Sequence, residues 1–169
     1  MTLTIVRRFL NGCQSGLTFI AGLSVVAIVI MTTADAGGRY VLDLPLKGAY
    51  EVTESFFLVA TVFLGLLYAY SSGAFIRVTF LVHRLGETTQ IYVNYFVQSI
   101  CILITLTLLI GSLWESCLII QSGMTLGFLK IPAWPPYIIV CIGYAVLLLR
   151  MIVDLWAIKL NQSPLSKNL

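Results

Sequence analysis

The chain consists mostly of long apolar runs separated by polar and charged segments. Four runs, at approximately 14–34, 51–71, 91–114 and 133–157, take up most of its 169 residues. A helix that crosses the hydrocarbon core of a bilayer needs about 20 mainly apolar residues. Charged residues lie near the ends of these runs and not in their middle. The pattern therefore predicts four membrane-spanning helices.

The apolar runs lack the alternation of apolar and polar residues that a strand of a membrane barrel shows over about ten residues. Residues 25–30, for example, are all apolar. Since backbone N–H and C=O groups in lipid must pair within the protein, the runs must then be helices. We expect an all-α membrane protein that forms a single membrane domain over residues 1–169.

Composition supports the membrane assignment. Hydrophobic residues make up 59% of the chain and charged residues only 10%, whereas a soluble domain has about 25% charged residues. The net charge of +3 is small, and no cluster of lysine and arginine with interleaved aromatic residues occurs. We therefore expect membrane lipid around the chain and no nucleic acid as a partner.

Lysine and arginine are unevenly distributed between the two sides of the predicted membrane domain. The side with both termini and the connection between spans 2 and 3 has seven of the ten: Arg7, Arg8, Arg77, Arg84, Arg150, Lys159 and Lys167. The other side has Arg39, Lys47 and Lys130. Because positive residues accumulate in cytoplasmic loops, we predict that both termini are cytoplasmic.

The connections have residues that favour particular structures. Gly37-Gly38 predicts that the first helix ends near Ala34, and glycines in 115–132 predict a loop after the third span. Pro135-Pro136 fits the first turn of the last helix. Between spans 2 and 3, residues 75–85 have an apolar face flanked by Arg77 and Arg84. This segment predicts a short interfacial helix, with a plain loop as the alternative.

Four charged residues on the predicted outer side are candidates for function. Glu51 and Glu54 are three residues apart at the start of span 2, so they share a helical face. Paired carboxylates can bind a cation or share a proton, but acids at a helix N-terminus also complement its dipole. We favour the second role, together with a subunit contact. Arg39 lies on the same side and is expected to pair with either acid, and Glu115 ends the third span.

On the predicted inner side, Arg150 and Asp154 are four residues apart near the end of the last span. They can pair on one face, with the arginine extended to the headgroups as an anchor. Polar residues of the third span, including Gln98, are expected to hydrogen-bond between helices. Arg77 completes the set of candidate contact residues.

The sequence does not favour catalysis or transport by this chain alone. His83 is the only histidine, and no metalloprotease, nucleotide-binding or serine–histidine pattern occurs, so we predict no enzyme and no cofactor in this chain. Four helices in a bundle fill their own centre with side chains, and ion-moving polar groups normally lie inside the membrane. Two alternatives remain: a small stand-alone dimeric transporter, and a membrane anchor subunit of a redox complex.

Six short segments between Gly37 and Ala145 come in an order and spacing that resemble a known family. They are Gly37-Gly38-Arg39-Tyr40-Val41, Gly48-Ala49-Tyr50-Glu51-Val52-Thr53-Glu54, Val62-Phe63-Leu64-Gly65, Ser72-Gly73-Ala74-Phe75-Ile76-Arg77-Val78, Ile131-Pro132-Ala133-Trp134-Pro135-Pro136 and Ile142-Gly143-Tyr144-Ala145. The chain resembles the DctQ-type small permease subunit of TRAP (tripartite ATP-independent periplasmic) transporters over roughly Arg39–Arg150. It departs at Phe75 and Thr79, where the family often has histidine and aspartate.

The resemblance implies a function that the residues alone do not give. Such a subunit lies in the inner membrane of a bacterium or archaeon with a large multi-span permease subunit, and a periplasmic substrate-binding protein delivers an organic acid or a similar solute. The large subunit is expected to hold the substrate and the sodium ions that drive uptake. The small subunit is expected to be a non-catalytic scaffold for it.

Overall fold

The computed structural model describes residues 2–41, 48–72, 87–127 and 130–159. Its elements in chain order are α1 (Thr2–Val41), α2 (Ala49–Val52), the π-helix π1 (Thr53–Leu58), α3 (Val59–Ser71), α4 (Glu87–Ser122), β1 (Thr125–Leu126), β2 (Ile131–Pro132) and α5 (Trp134–Lys159). The elements α2, π1 and α3 together form span 2, and the two short strands pair antiparallel. Within these described residues, four helices are long and apolar enough to cross a membrane. The prediction of an all-α membrane protein with four spans is therefore confirmed.

Two helices extend beyond the boundaries expected from the sequence. α1 continues through Gly37-Gly38 to Val41, and α4 continues past Glu115 to Ser122. A glycine in a helix costs only about 1 kcal/mol relative to alanine, and a helix that has already formed gains one backbone hydrogen bond with each further residue. The expected chain breaks at these positions were therefore wrong. α5 begins at Trp134 with Pro135-Pro136 in its first turn, as predicted. The predicted interfacial helix at 75–85 lies outside the described residues.

The spans fall into a long pair and a short pair. α1 has 40 residues and α4 has 36, whereas span 2 has 23 and α5 has 26. At 1.5 Å per residue, the long helices measure at least about 54 Å, compared with a hydrocarbon core of about 30 Å. Tilting within the usual range, up to about 40°, does not absorb this difference. The ends of α1 and α4 therefore project past the hydrocarbon core.

The helices pack as a row and not as the closed bundle expected from the sequence. α1 packs mainly on span 2, span 2 on α5, and α5 on α4. Within the described part of the chain, α1 and α4 have no substantial interface with each other. Side chains between adjacent helices form the core, with Leu67 as its most buried large residue. A row leaves two broad apolar sides open, which a closed bundle would not.

Small and aromatic residues allow span 2 to approach its neighbours closely. Gly143 of α5 lies against the backbone of Phe63, and Gly65 faces Ala21 of α1. The rings of Phe63 and Tyr144 pack edge to face, with centroids 5.3 Å apart and an interplanar angle of 72°. Small residues at such crossings are typical of helices that associate in lipid, since backbone packing replaces the hydrophobic effect there.

Candidate functional site

The end of span 2 that is predicted to be outer positions Glu51 and Glu54, and we name the outer and inner ends of the helices after this predicted orientation. Gly48 has a φ of 88°, a left-handed conformation that suits glycine, and its carbonyl accepts from the Val52 N–H at 3.1 Å. The helix then starts at Ala49, and the π-helix begins two residues after Glu51. A π-helical turn widens the spacing along the helix and often occurs at functional sites. The carboxylates of Glu51 and Glu54 therefore contact different neighbours, although a regular helix would place both on one face.

Glu51 contacts the turn of the hairpin between α4 and α5. Gly127 in that turn has a φ of +23°, and a Cβ placed on it would overlap the Glu51 carboxylate. The hairpin therefore reaches the outer mouth of span 2, and the carboxylate occupies the space that the glycine leaves. This contact joins the connection between spans 3 and 4 to the start of span 2. Nothing in the local sequence of either segment indicated it.

Glu54 lines a cavity of about 320 Å³ between α1 and span 2, together with Asp35, Tyr50, Thr32 and Thr53. Tyr50 also lies close to the Glu54 carboxylate, one helical turn away. Asp35 was not among the candidate residues, because the sequence placed it in a loop instead of in the last turns of α1. The outer cavity thus combines two carboxylates, only one of which the sequence singled out.

Arg39 pairs with Asp35 and not with the two acids expected from the sequence. Its Nη2 lies 2.8 Å from Asp35 Oδ2, one helical turn away in α1. The described residues show no ion pair of Arg39 with Glu51 or Glu54. The continuation of α1 through Gly37-Gly38 explains the difference, because it places Asp35 and Arg39 on one helical face.

Glu115 is exposed on α4 next to Trp114, whose side chain is 70% exposed. Since α4 continues for seven more residues after Glu115, the acid lies on the side of a helix and not in a loop. A rigid helical position presents a charge in a fixed direction, which suits contact with a partner.

At the inner end, Arg150 and Asp154 form a largely buried pair. Arg150 Nε lies 3.4 Å from Asp154 Oδ2, and the two side chains are 13% and 7% exposed. Arg150 Nη1 also donates to the side-chain oxygen of Asn11 at 2.6 Å, across to α1. The arginine therefore links α5 to α1 instead of extending to the headgroups as the sequence suggested. Arg77, the remaining candidate residue, lies outside the described residues.

Gln98 of α4 forms a buried polar contact between helices in the same inner half. Its amide donates to the Tyr70 hydroxyl oxygen at 2.7 Å and to the backbone carbonyl of Met151 at 3.2 Å. One side chain thereby joins α4 to span 2 and to α5. The prediction that polar residues of the third span hydrogen-bond between helices is confirmed for Gln98.

Charge is confined to the ends of the membrane domain. No charged residue lies in 10–34, 55–71, 92–114 or 134–149. Among the described residues, no group of three or more His, Cys, Asp or Glu side chains is placed to hold a metal ion. The arrangement suits contacts at the two membrane faces and association of apolar helices between them.

Comparison with known families decides the identity. Residues 28–159 match the family described as tripartite ATP-independent periplasmic transporters, DctQ component. The chain belongs to this family. It is thus a small membrane component of a TRAP transporter and a multi-pass protein of the inner membrane, as the resemblance predicted. Comparisons with curated proteins and with solved structures gave no match. The matched part of this DctQ component includes the outer cavity, the hairpin contact and the inner ion pair.

Proposed function

We propose that this DctQ component is the non-catalytic scaffold of a sodium-driven, binding-protein-dependent importer of an organic acid or a similar solute. In this proposal a large multi-span permease subunit holds the substrate and the sodium ions, and a periplasmic binding protein delivers the substrate. The small subunit braces the large one and widens its footprint in the bilayer. Family membership supports the assignment to a transporter, and the architecture supports the scaffold role.

The observation that carries the proposal is the open row of helices with uncharged centres. Groups that move ions or polar substrates normally lie inside the membrane, whereas the charges of this chain lie at its rims. Long apolar side chains such as Phe96, Leu103 and Ile110 of α4 are 59–67% exposed. Exposed apolar faces of this extent suit lipid and the helices of a larger partner.

The charged outer residues are the proposed polar contacts. Glu51, Glu54 and Glu115, with Arg39, would face the large subunit or the docked binding protein. Their fixed positions on helix ends and helix sides would set the register of the complex, since complementary charge contributes to specificity more than to raw affinity.

Reconstitution tests whether transport requires the large subunit in addition to this chain. The chain is co-expressed with a candidate large permease subunit, and both are reconstituted into liposomes. Uptake of a radiolabelled organic acid is then measured under a sodium gradient with the binding protein present. We expect uptake to require both membrane subunits and the chain alone to give no flux. Saturable, ion-coupled flux through liposomes that contain only this chain would contradict the scaffold role.

A further inference from the structure

A groove on the inner half of α1 has a polar end and an apolar floor. The polar end is formed by Asn11, Gln14, Ser71 and Arg150, which come from α1, span 2 and α5. The groove then follows α1 along Phe19, Gly22, Leu23 and Val26. Its volume of about 860 Å³ lies in the range of small-molecule sites, about 300–1,000 Å³. We call it the α1 groove.

We infer that the α1 groove binds one anionic phospholipid, with its phosphate at the polar end and an acyl chain along α1. The inference concerns lipid binding by this chain itself and does not depend on the proposed partner subunits. Three features of the groove support it: its length, the location of its polar groups and its charge.

The length of the α1 groove matches one leaflet. Asn11 and Val26 are 15 residues apart, which corresponds to about 22 Å of helix. A bilayer with its headgroups is about 40–45 Å thick, so one leaflet is roughly half of that. A membrane-crossing partner helix would instead need a surface that continues through both leaflets.

The charged group and most hydrogen-bonding groups of the lining lie toward the end where a headgroup would be, although Ser15, Thr18 and Tyr68 also line the groove. Gln14 donates to the Ser71 hydroxyl, and Arg150 donates to Asn11, so the polar end is a connected set of hydrogen-bonding side chains. Deeper in the groove, Phe19 and Leu23 are 73% and 59% exposed. Apart from its chain neighbours and the nearby backbone of α1, no described heavy atom lies within 4 Å of a Cβ built on Gly22, which leaves a notch for an acyl chain.

The charge at the polar end favours an anionic headgroup over a zwitterionic one. Arg8 is exposed on α1 three residues before Asn11, so it lies on the same helical face one turn further out. Arg8 and Arg150 are positive and Asp154 is negative, which leaves one net positive charge among these described groups. Basic sites between membrane helices on the cytoplasmic side are typical binding sites for anionic lipid headgroups.

Spin-labelled lipids test the inference on the purified full-length chain in phosphatidylcholine nanodiscs. Electron paramagnetic resonance reports the fraction of labelled lipid that the protein immobilises. We expect labelled phosphatidylglycerol to be preferred over labelled phosphatidylcholine by roughly fivefold, the effect of one net charge near a membrane surface. The variant Arg8→Gln should remove most of this preference. Equal immobilisation of the two lipids would overturn the inference.

A second pair of variants tests the site itself. Gly22→Leu fills the notch, and Gly111→Leu on α4 is the matched control, since it too has no atom within 4 Å of its Cβ position. We expect Gly22→Leu to lose the immobilised phosphatidylglycerol and Gly111→Leu to keep it. If Gly22→Leu keeps the lipid, the inference is wrong. If it keeps the lipid but no longer co-purifies with a large hydrophobic subunit, the groove is instead a docking site for a partner helix.

Discussion

A methyl group on Gly143 would lie 2.7 Å from the backbone carbonyl oxygen of Phe63. This distance is shorter than real Cβ contacts, and the atom opposite belongs to the backbone of span 2, which cannot move aside as a flexible side chain can. α5 and span 2 therefore cross at the closest approach that glycine allows, in the middle of the helix row.

We predict that Gly143→Ala destabilises the protein by about 1–3 kcal/mol, the usual cost of overpacking a well-packed interface. Gly65→Ala is the matched control, because its added methyl would lie 3.9 Å from the Ala21 Cβ, an ordinary contact. The free energy of unfolding in mixed detergent micelles measures both effects. Equal stability of the two variants would show that the crossing is looser than described.

We predict that Asp154→Asn destabilises the protein far more than Asp35→Asn. Both acids pair with an arginine one helical turn away, but the Arg150–Asp154 pair is nearly buried, whereas Arg39 is 60% exposed. Leaving a buried arginine without its acid costs about 3–5 kcal/mol, compared with about 0–1 kcal/mol for an exposed pair. Unfolding measurements compare the two variants. The double variant Arg150→Met/Asp154→Leu should recover most of the loss, and failure to recover would point to another role for the charges.

We predict that Gly127→Ala disrupts the hairpin contact with Glu51. Gly123→Ala is the control, because Gly123 also has a positive φ, +61°, but no atom within 4 Å of its Cβ position. Both alanines strain the backbone, so the additional loss of stability in Gly127→Ala reports the overlap with the carboxylate. Thermal unfolding measures it. Adding Glu51→Ala to Gly127→Ala should bring stability back to that of Gly123→Ala, and no recovery would exclude the contact as the cause.

We predict that Glu54→Lys and Arg39→Glu each lower uptake by the reconstituted complex by roughly tenfold, equivalent to about 1.4 kcal/mol of lost contact energy. Each reverses a charge at the outer rim. Glu87→Lys, at the start of α4 on the opposite side, is the control and should leave uptake unchanged. Membrane insertion, measured by extraction from washed membranes, should be normal in all three. Unchanged uptake in both outer variants would remove these residues from the proposed contact surface.

The orientation of the chain remains a prediction from its positive charges, and a reporter can test it. Alkaline phosphatase, which is active only outside the cytoplasm, should be inactive when fused after Leu169 and active when inserted between residues 42 and 47. The opposite result would reverse the predicted inner and outer sides of the chain.

The existence of the spans was predictable because each apolar run exceeds the length that lipid requires. The residues at which the spans end were less predictable. Glycine favours a helix end, but α1 runs through Gly37-Gly38 because a glycine costs only about 1 kcal/mol in a helix and each further residue of a formed helix gains a backbone hydrogen bond. The continuation of α4 past Glu115 has the same explanation. Pro135-Pro136 correctly predicted the start of α5, because proline fixes its own backbone φ angle and has no N–H to pair.

The sequence indicated some residues of the candidate site, such as Glu54, but not Asp35 and not most of the contacts between residues. Arg150 and Asp154 pair as their spacing suggests, since four residues make one helical turn. The contact of Arg150 with Asn11 joins residues 139 apart, and the contact of Glu51 with Gly127 depends on where a distant hairpin lies. Such contacts follow from the order of helices in the row, which hydrophobic patterning does not determine.

The long helices α1 and α4 stand at the two ends of the row, and the short ones occupy its middle. The uncharged runs of α1 and α4, residues 10–34 and 92–114, are also longer than those of span 2 and α5, residues 55–71 and 134–149. An apolar stretch longer than the local hydrocarbon thickness stretches the surrounding lipid, at a cost of fractions of a kcal/mol per Å. We therefore expect the bilayer to be thickened at both flanks of the row and relaxed at its centre. A neighbouring protein with longer apolar helices would reduce this cost when it packs against one end of the row. Membrane thickness itself would then favour assembly of the complex at that position.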